Sequence, residues 1–283
     1  MHVKVFVYPE KKNLQSNSSC LVSLIMRRFF LDRQGIHSDS PTLTGSDVKH
    51  ISTVLRSKPG DEIFLFDGQG YDYHARIVNI THKAITLSIL TRYPSTSEPC
   101  VHIAIGQALI KARKMDRIVR QLTELGGSAF LPFIAQRSVV RPDGERFSKK
   151  RTRWETIAIE ALKQCGRSQT PHIGPIASFE GLVSTSQTYD LCIIFHDHKR
   201  EAAPECFPHT KQRITRVLAL IGPEGGFTAE EVTLALEAGF THGYLGPRTL
   251  KSDTAAVTAT AVIQHLLGDL GHPQKDLDNA KLF

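Results

Sequence analysis

The sequence predicts an α/β domain preceded by a small strand-rich unit. Three observations lead there. Apolar runs of five or six residues alternate with amphipathic helical stripes over the longer C-terminal part. Short strands joined by tight turns crowd the part before it. The segment Tyr93-Pro-Ser-Thr-Ser-Glu-Pro99 reads as a linker between the two.

Residues 1–25 differ in character from the rest of the chain. They include the aperiodic polar stretch Lys11 to Ser19, and a natural-looking start lies at Met26, so an upstream, poorly ordered extension is expected. In residues 26–97, a short helix begins near Ser46, with Val48, Ile51, Val54 and Leu55 on one face. Lys58-Pro-Gly-Asp61 is a turn. Glu62–Phe66, Tyr71–Ile77 and Ala84–Leu90 are strands, and Asp67-Gly-Gln-Gly70 makes a hairpin of the first two. This pattern predicts a small β-barrel.

In residues 98–283, Val101–Ile105 is a strand. Met115, Ile118, Val119, Leu122 and Leu125 mark a helix that Gly126 ends in the left-handed conformation. Ala129–Ile134 is the next strand. Trp154, Ile157, Ala158, Ala161 and Leu162 form a second stripe, closed by Gly166. Leu191–Phe195 and Val217–Ile221 are continuous apolar runs, as strands of a parallel sheet covered on both faces require. Met115 and Trp154 are most simply core residues.

Lysine and arginine outnumber aspartate and glutamate by 35 to 28, a formal charge of +7 that favours an anionic partner such as nucleic acid. The five cysteines are widely spaced without a C-x-x-C pair. That argues against a disulfide framework or zinc ribbon and fits a reducing cytoplasmic setting. No apolar run approaches the ~20 residues that span a bilayer.

The loop Ile221-Gly-Pro-Glu-Gly-Gly-Phe227 follows a buried strand and opens a helix. Thr228-Ala-Glu-Glu231 is a capping box, and Phe227 with Val232 is placed as a hydrophobic staple. Loops at the carboxyl ends of such strands are where open α/β sheets bind ligands. Neither phosphate-binding fingerprint is present, and by itself the loop is equally a plain glycine-rich turn. Tyr244-Leu-Gly-Pro-Arg-Thr-Leu-Lys-Ser-Asp-Thr-Ala-Ala256 then repeats the pattern of short strand, Gly-Pro and helix. Its helix, expected over Thr254–Leu267, starts with small residues that permit close packing against a neighbour or a ligand.

Together these two loops resemble the ribosomal RNA small subunit methyltransferase E family, within the SPOUT superfamily. Lys114-Met-Asp116, Thr123-Glu-Leu-Gly126, Gln136-Arg-Ser-Val139, Trp154, Glu160-Ala161 and Gln164-Cys-Gly-Arg167 resemble its internal motifs. Arg28-Phe-Phe30 and His50 to Gly60 resemble its N-terminal domain. Asp253 departs from the glutamate common at that place. The resemblance implies a PUA-like β-barrel domain, a SPOUT methyltransferase domain with a C-terminal trefoil knot, and a homodimer. It also implies transfer of the methyl group of S-adenosyl-L-methionine (SAM) to N3 of a uridine in 16S rRNA, with assembled small ribosomal subunits as substrate and no metal.

On that resemblance the cofactor lies against Leu220, Ile221, Gly222, Glu224, Gly225 and Gly226 on one loop. Leu245, Gly246, Leu250, Thr254 and Ala255 supply the other. Arg248 is the candidate for stabilising a uracil anion or a phosphate. Glu224 and Asp253 are candidate proton acceptors, although either can instead hold a loop amide. Candidate RNA contacts are Arg27, Arg28 and Arg56 in the small unit and Arg137, Arg141, Lys149, Lys150, Arg151 and Arg153 in the large one, where a solvated helix face is the bland alternative. His196 and His198 share a strand face, but with no third ligand nearby they read as a loop pair. Two rival functions are a SPOUT methyltransferase with another base or a ribose 2′-hydroxyl as target, and a non-enzymatic RNA-binding or ribosome-assembly module.

Overall fold

The computed structural model describes residues 28–140, 144–196 and 213–271. The expected extension at 1–25, and Arg27, Arg141 and His198, lie outside them.

The N-terminal unit contains β1 (Arg28–Phe30), α1 (Arg33–Ile36), β2 (Thr42–Thr44), α2 (Ser46–Lys49), β3 (Glu62–Phe66), β4 (Tyr71–Ile80) and β5 (Ala84–Pro94). Its sheet runs β1-β3-β4-β5-β2, with β1 parallel to β3 and the other pairs antiparallel. Among the described residues no ladder joins β1 to β2, so the expected barrel is a curled five-stranded sheet. Two register shifts in the β4–β5 pair, at His74/Ala75 and Ile77/Asn79, accompany the curl. Phe29, Ile51, Ile63, Leu65, Tyr73, Ile77 and Ile85 fill its inner face.

One expected core position fails. Val54 is 66 % exposed, because α2 continues as a π-helical turn over His50–Val54. The wider turn rotates Val54 away from the face that holds Val48 and Ile51.

The second unit contains β6 (His102–Ala108), α3 (Ala112–Glu124), β7 (Ala129–Ile134), α4 (Gly144–Cys165), β8 (His172–Ile173), β9 (Ala177–Ser178), α5 (Phe179–Val183), β10 (Leu191–Phe195), β11 (Arg216–Ile221), α6 (Ala229–Glu237), β12 (Thr241–Gly243) and α7 (Ser252–Leu267). The sheet order is β12-β10-β11-β6-β7-β8, with β9 also on β7, and every pair is parallel. Alternate residues feed two cores, as the continuous apolar runs require. Ile103, Ile105, Ile193, Ala219 and Ile221 meet Met115, Trp154 and Ile263 on one face. Ala104, Ile194, Leu218 and Leu220 meet Phe179, Phe227 and Ala235 on the other. Gly126 and Gly166 take φ of 85° and 88° just past the ends of α3 and α4, as left-handed terminators.

The predicted linker is in part a strand and in part a joint. Tyr93 and Pro94 belong to β5. Glu98 accepts hydrogen bonds from the Gln169 amide (2.8 Å) and Arg167 Nε (3.0 Å), and also from the Ser168 amide. Arg167 donates on to the carbonyls of Thr123 (2.7 Å) and Gly127 (3.0 Å). Arg28 crosses from the other unit. Its Nη1 donates to the carbonyls of Leu162 (3.2 Å) and Arg167 (2.8 Å), its Nη2 pairs with Asp72 and Ser168, and its guanidinium lies over the Phe66 ring. The two units are therefore joined by a buried, multiply bonded polar seam.

Candidate active site

The carboxyl ends of β6, β11 and β12 bring the two glycine-proline loops together. β11 ends at Ile221 and leads into a turn closed by the Gly226 amide on the Pro223 carbonyl (2.9 Å). Gly226 takes φ +69°, which the turn needs and a side chain would resist. The loop is held from both sides. The capping box is present, with the Thr228 amide on Glu231 Oε2 (2.9 Å) and the Glu231 amide on Thr228 Oγ1 (3.3 Å). Glu231 Oε1 also accepts from the Gln136 amide (2.8 Å). Arg137 Nη1 donates to the carbonyls of Gly225 (3.0 Å) and Phe227 (3.3 Å). Because Glu231 is buried and serves two amides, Glu231→Ala should cost about 1–3 kcal/mol. Urea denaturation checks this, and a loss below a few tenths of a kcal/mol would contradict it.

The second loop docks through α7. Ser252 Oγ donates to the Gly222 carbonyl at 2.6 Å, and Gln107 Nε2 at the end of β6 donates to Ser252 Oγ at 3.0 Å. Helix α7 starts two residues before the expected Thr254, and this places Ser252 in its first turn. Lys114, in the first turn of α3, completes the junction. Its Nζ lies 3.1 Å from Glu224 Oε1 and 3.7 Å from Asp253 Oδ1. The Glu224 hydrogen bond, with Asp253 nearby, pushes the Lys114 ammonium pKa up.

The predicted cofactor positions divide. Gly222, Gly225, Gly226, Gly246 and Glu224 lie on the loop surfaces, with Leu245, Leu250 and Ala255 half-buried and Thr254 exposed. Leu220 and Ile221 do not offer side chains to a ligand. They are fully buried in opposite cores, and their backbones pair with both β6 and β10. Arg248 is exposed, and its guanidinium folds towards Gly246, which has φ +97°. Among the described residues neither Glu224 nor Asp253 holds a loop amide; both face Lys114.

Two buried acceptors at the junction have no hydrogen-bond donor among the described residues: Gln107 Oε1 and Asp253 Oδ1. Buried acceptors of this kind are normally satisfied. Their donor deficit suits a ligand bearing amine, amide or hydroxyl hydrogens, as SAM does. Gln107 and Ser252 were missed in the sequence. The available signal was a glutamine at the end of the otherwise apolar run of β6.

The arginines also divide. Arg28 is 9 % exposed at its side chain and spent in the seam between the units, and Arg137 is spent on the loop. Arg28 is thereby corrected from an RNA contact to a structural cation, whereas Arg137 is exposed as well as bonded to the loop. Arg56, Lys149 and Arg153 are exposed, and Lys150 and Arg151 are partly so. Arg153 is paired with Asp116 and Arg151 with Glu155. The outer face of α3 adds the exposed Arg113, Arg117 and Arg120, at spacings of four and three. His196 meets His242, with 2.8 Å between ring nitrogens at the ends of β10 and β12. Among the described residues no cluster of metal-binding side chains occurs, and no helix is long and apolar enough to cross a membrane. Burial pushes the thiols of Cys100, Cys165 and Cys192 upward, the last to about 11, so none of these is an activated thiolate.

Comparison with known proteins agrees with this geometry. Residues 96–264 match the model of an RNA methyltransferase domain, and residues 43–90 match that of an RNA methyltransferase PUA domain. The chain is 32% identical over 249 residues to ribosomal RNA small subunit methyltransferase E of Bacillus subtilis, covering 85% of this chain and 96% of that one. A ribosomal RNA small subunit methyltransferase E from Neisseria gonorrhoeae, solved with S-adenosyl methionine bound, is similar with TM-score 0.72 and 32% identity, covering 86% of this chain and 99% of the other. A Legionella pneumophila chain solved with SAM as cofactor is similar with TM-score 0.75 and 30% identity, over 86% of this chain and 99% of that one.

Proposed function

Because this chain belongs to the ribosomal RNA small subunit methyltransferase E family, we propose that it methylates N3 of a uridine in 16S rRNA, using SAM. The observation that carries the reading is the Ser252–Gly222 hydrogen bond, which turns two separate glycine loops into the walls of one site. SAM, when bound, supplies a methyl group already activated by its sulfonium. Gly222, Gly225, Gly226 and Gly246 let the backbone approach the cofactor closely, while Leu245, Leu250 and Ala255 offer partly open apolar surface to its adenine. Gln107 Oε1 and Asp253 Oδ1 are the acceptors available to its donors.

Uridine N3 carries a proton and is a poor nucleophile until that proton leaves. The chain must hold the base in line, accept the proton and stabilise the anion. Arg248 is exposed beside the glycine loops and is assigned the anion or an adjacent phosphate. Glu224 and Asp253 are the carboxylates within reach of the same corner. The described cysteines hold their protons, which favours direct transfer to nitrogen over a covalent thiol route.

The exposed cations on α3 and α4, with Arg56, are assigned to the RNA backbone. Since each phosphate contact releases counterions, RNA affinity should fall by about 10³-fold or more between roughly 50 and 200 mM salt. Filter binding across that range checks this, and a flat response would exclude the assignment. The exposed Leu266 in the last turn of α7 and Leu270 just beyond it support the family's homodimer, which light scattering tests as twice the chain mass. The reading also carries the superfamily's trefoil knot and a cytoplasmic setting. Mass spectrometry of rRNA nucleosides from a deletion strain tests the function. Loss of one N3-methyluridine, restored by complementation, is expected; unchanged uridine methylation would exclude the substrate.

A further inference from the structure

We propose that Lys114 is a positioning residue for the methyl transfer: it ties the Gly222–Phe227 loop to the first turn of α7 and, by taking Glu224 as its hydrogen-bond partner, leaves the buried Asp253 oxygen as the open acceptor of the site. The inference rests on the reading above and deepens it.

Three distant segments meet at this ammonium. Lys114 lies in the first turn of α3, Glu224 lies 110 residues later in the loop after β11, and Asp253 lies in the first turn of α7. The two contacts are unequal. Glu224 Oε1 is hydrogen-bonded at 3.1 Å and its side chain is 42% exposed. Asp253 Oδ1 is 3.7 Å away, has no hydrogen-bond donor among the described residues, and belongs to a side chain only 15% exposed. The cation therefore attracts both carboxylates but satisfies one.

Removing it would leave two like charges on adjoining loops with nothing between them. The loops would be pushed apart at the corner where Arg248 and the glycines must hold cofactor and base together. Misplacement of about 1 Å at a reacting centre can cost about 10²-fold in rate. The same unequal sharing ranks the two carboxylates. Glu224 is engaged with the ammonium, whereas Asp253 keeps an unsatisfied oxygen facing the junction.

The test uses the full chain with Lys114→Met, Lys114→Arg, Asp253→Asn and the Lys114→Met/Asp253→Asn double variant. Steady-state methylation of small subunits and calorimetry with SAM are the readouts, and melting temperature monitors folding. Lys114→Met should lose about 10²-fold in kcat with little change in KM for RNA. Lys114→Arg should recover most of that loss, because it restores the charge. Since the two groups act as a unit, the double variant should be no slower than the slower single one. Near-normal turnover by Lys114→Met, full additivity in the double variant, or activity loss that only tracks a lowered melting temperature would overturn the proposal. Failure of the unaltered chain to bind SAM would overturn the functional reading instead, so the two failures are separable.

Discussion

Arg248→Ala is expected to lower kcat/KM for small-subunit methylation by about 10²–10³-fold, the usual cost of removing one donor to a developing anion. SAM affinity should stay within about threefold and the melting temperature within about 2 °C, in line with exposed substitutions of small energetic effect. The structural reason for this separation is that Arg248 is exposed and makes no hydrogen bond or ion pair among the described residues. Its removal therefore costs the fold little, yet it stands beside Gly246 in the loop that docks on Gly222. Paired measurement of turnover and SAM binding checks the expectation. Near-normal turnover would remove Arg248 from the chemistry, and loss of SAM binding would make it a cofactor ligand.

The largest expected stability effect lies away from the site, at Arg167. Its side chain is 4% exposed and serves Glu98 and the carbonyls of Thr123 and Gly127. Arg167→Ala would strip Glu98 of its paired cation and leave the Gly127 carbonyl without its donor, while Glu98 keeps the Ser168 and Gln169 amides and Thr123 keeps the Gly126 amide. Removing one partner of a buried pair costs about 3–5 kcal/mol, here a fall in melting temperature of roughly 10 °C for a chain of this size. Because the Arg167 carbonyl also accepts from Arg28, loosening this seam should loosen the small unit as well. Thermal denaturation checks this, and a shift under about 2 °C would show that the seam is dispensable. The seam also accounts for a motif without obvious chemistry. In Gln164-Cys-Gly-Arg167 the glycine ends α4 and the arginine turns back to bind carbonyls in the last turn of α3 and just past it.

Much of this was legible in the sequence because the signals are local. Short apolar runs mark β6, β7, β10 and β11, and period-3.6 stripes mark the core faces of α3 and α4. The Thr228–Glu231 capping box was visible as four adjacent residues, since both of its hydrogen bonds close within one helical turn. The failures are where a local rule met a non-local constraint. Val54 left its face because a π turn interrupts the helical period. Arg28 was read as an RNA contact because a charge count cannot tell a cation facing solvent from one buried against carbonyls.

The same division holds at the glycine loop. Sequence alone determined the Gly222–Gly226 turn, its capped helix, its likeness to Leu245–Ala256 and, through that pair, the family. Only the tertiary structure decided what joins the two loops. Gln107, Ser252 and Lys114 act on partners more than a hundred residues away or on a different element, and no period or spacing records such contacts. Hydrogen bonds between backbone carbonyls and side chains of distant segments depend on how the sheet orders its strands. Here β6 lies beside β11, so their carboxyl ends meet at one corner and the start of α7 docks there.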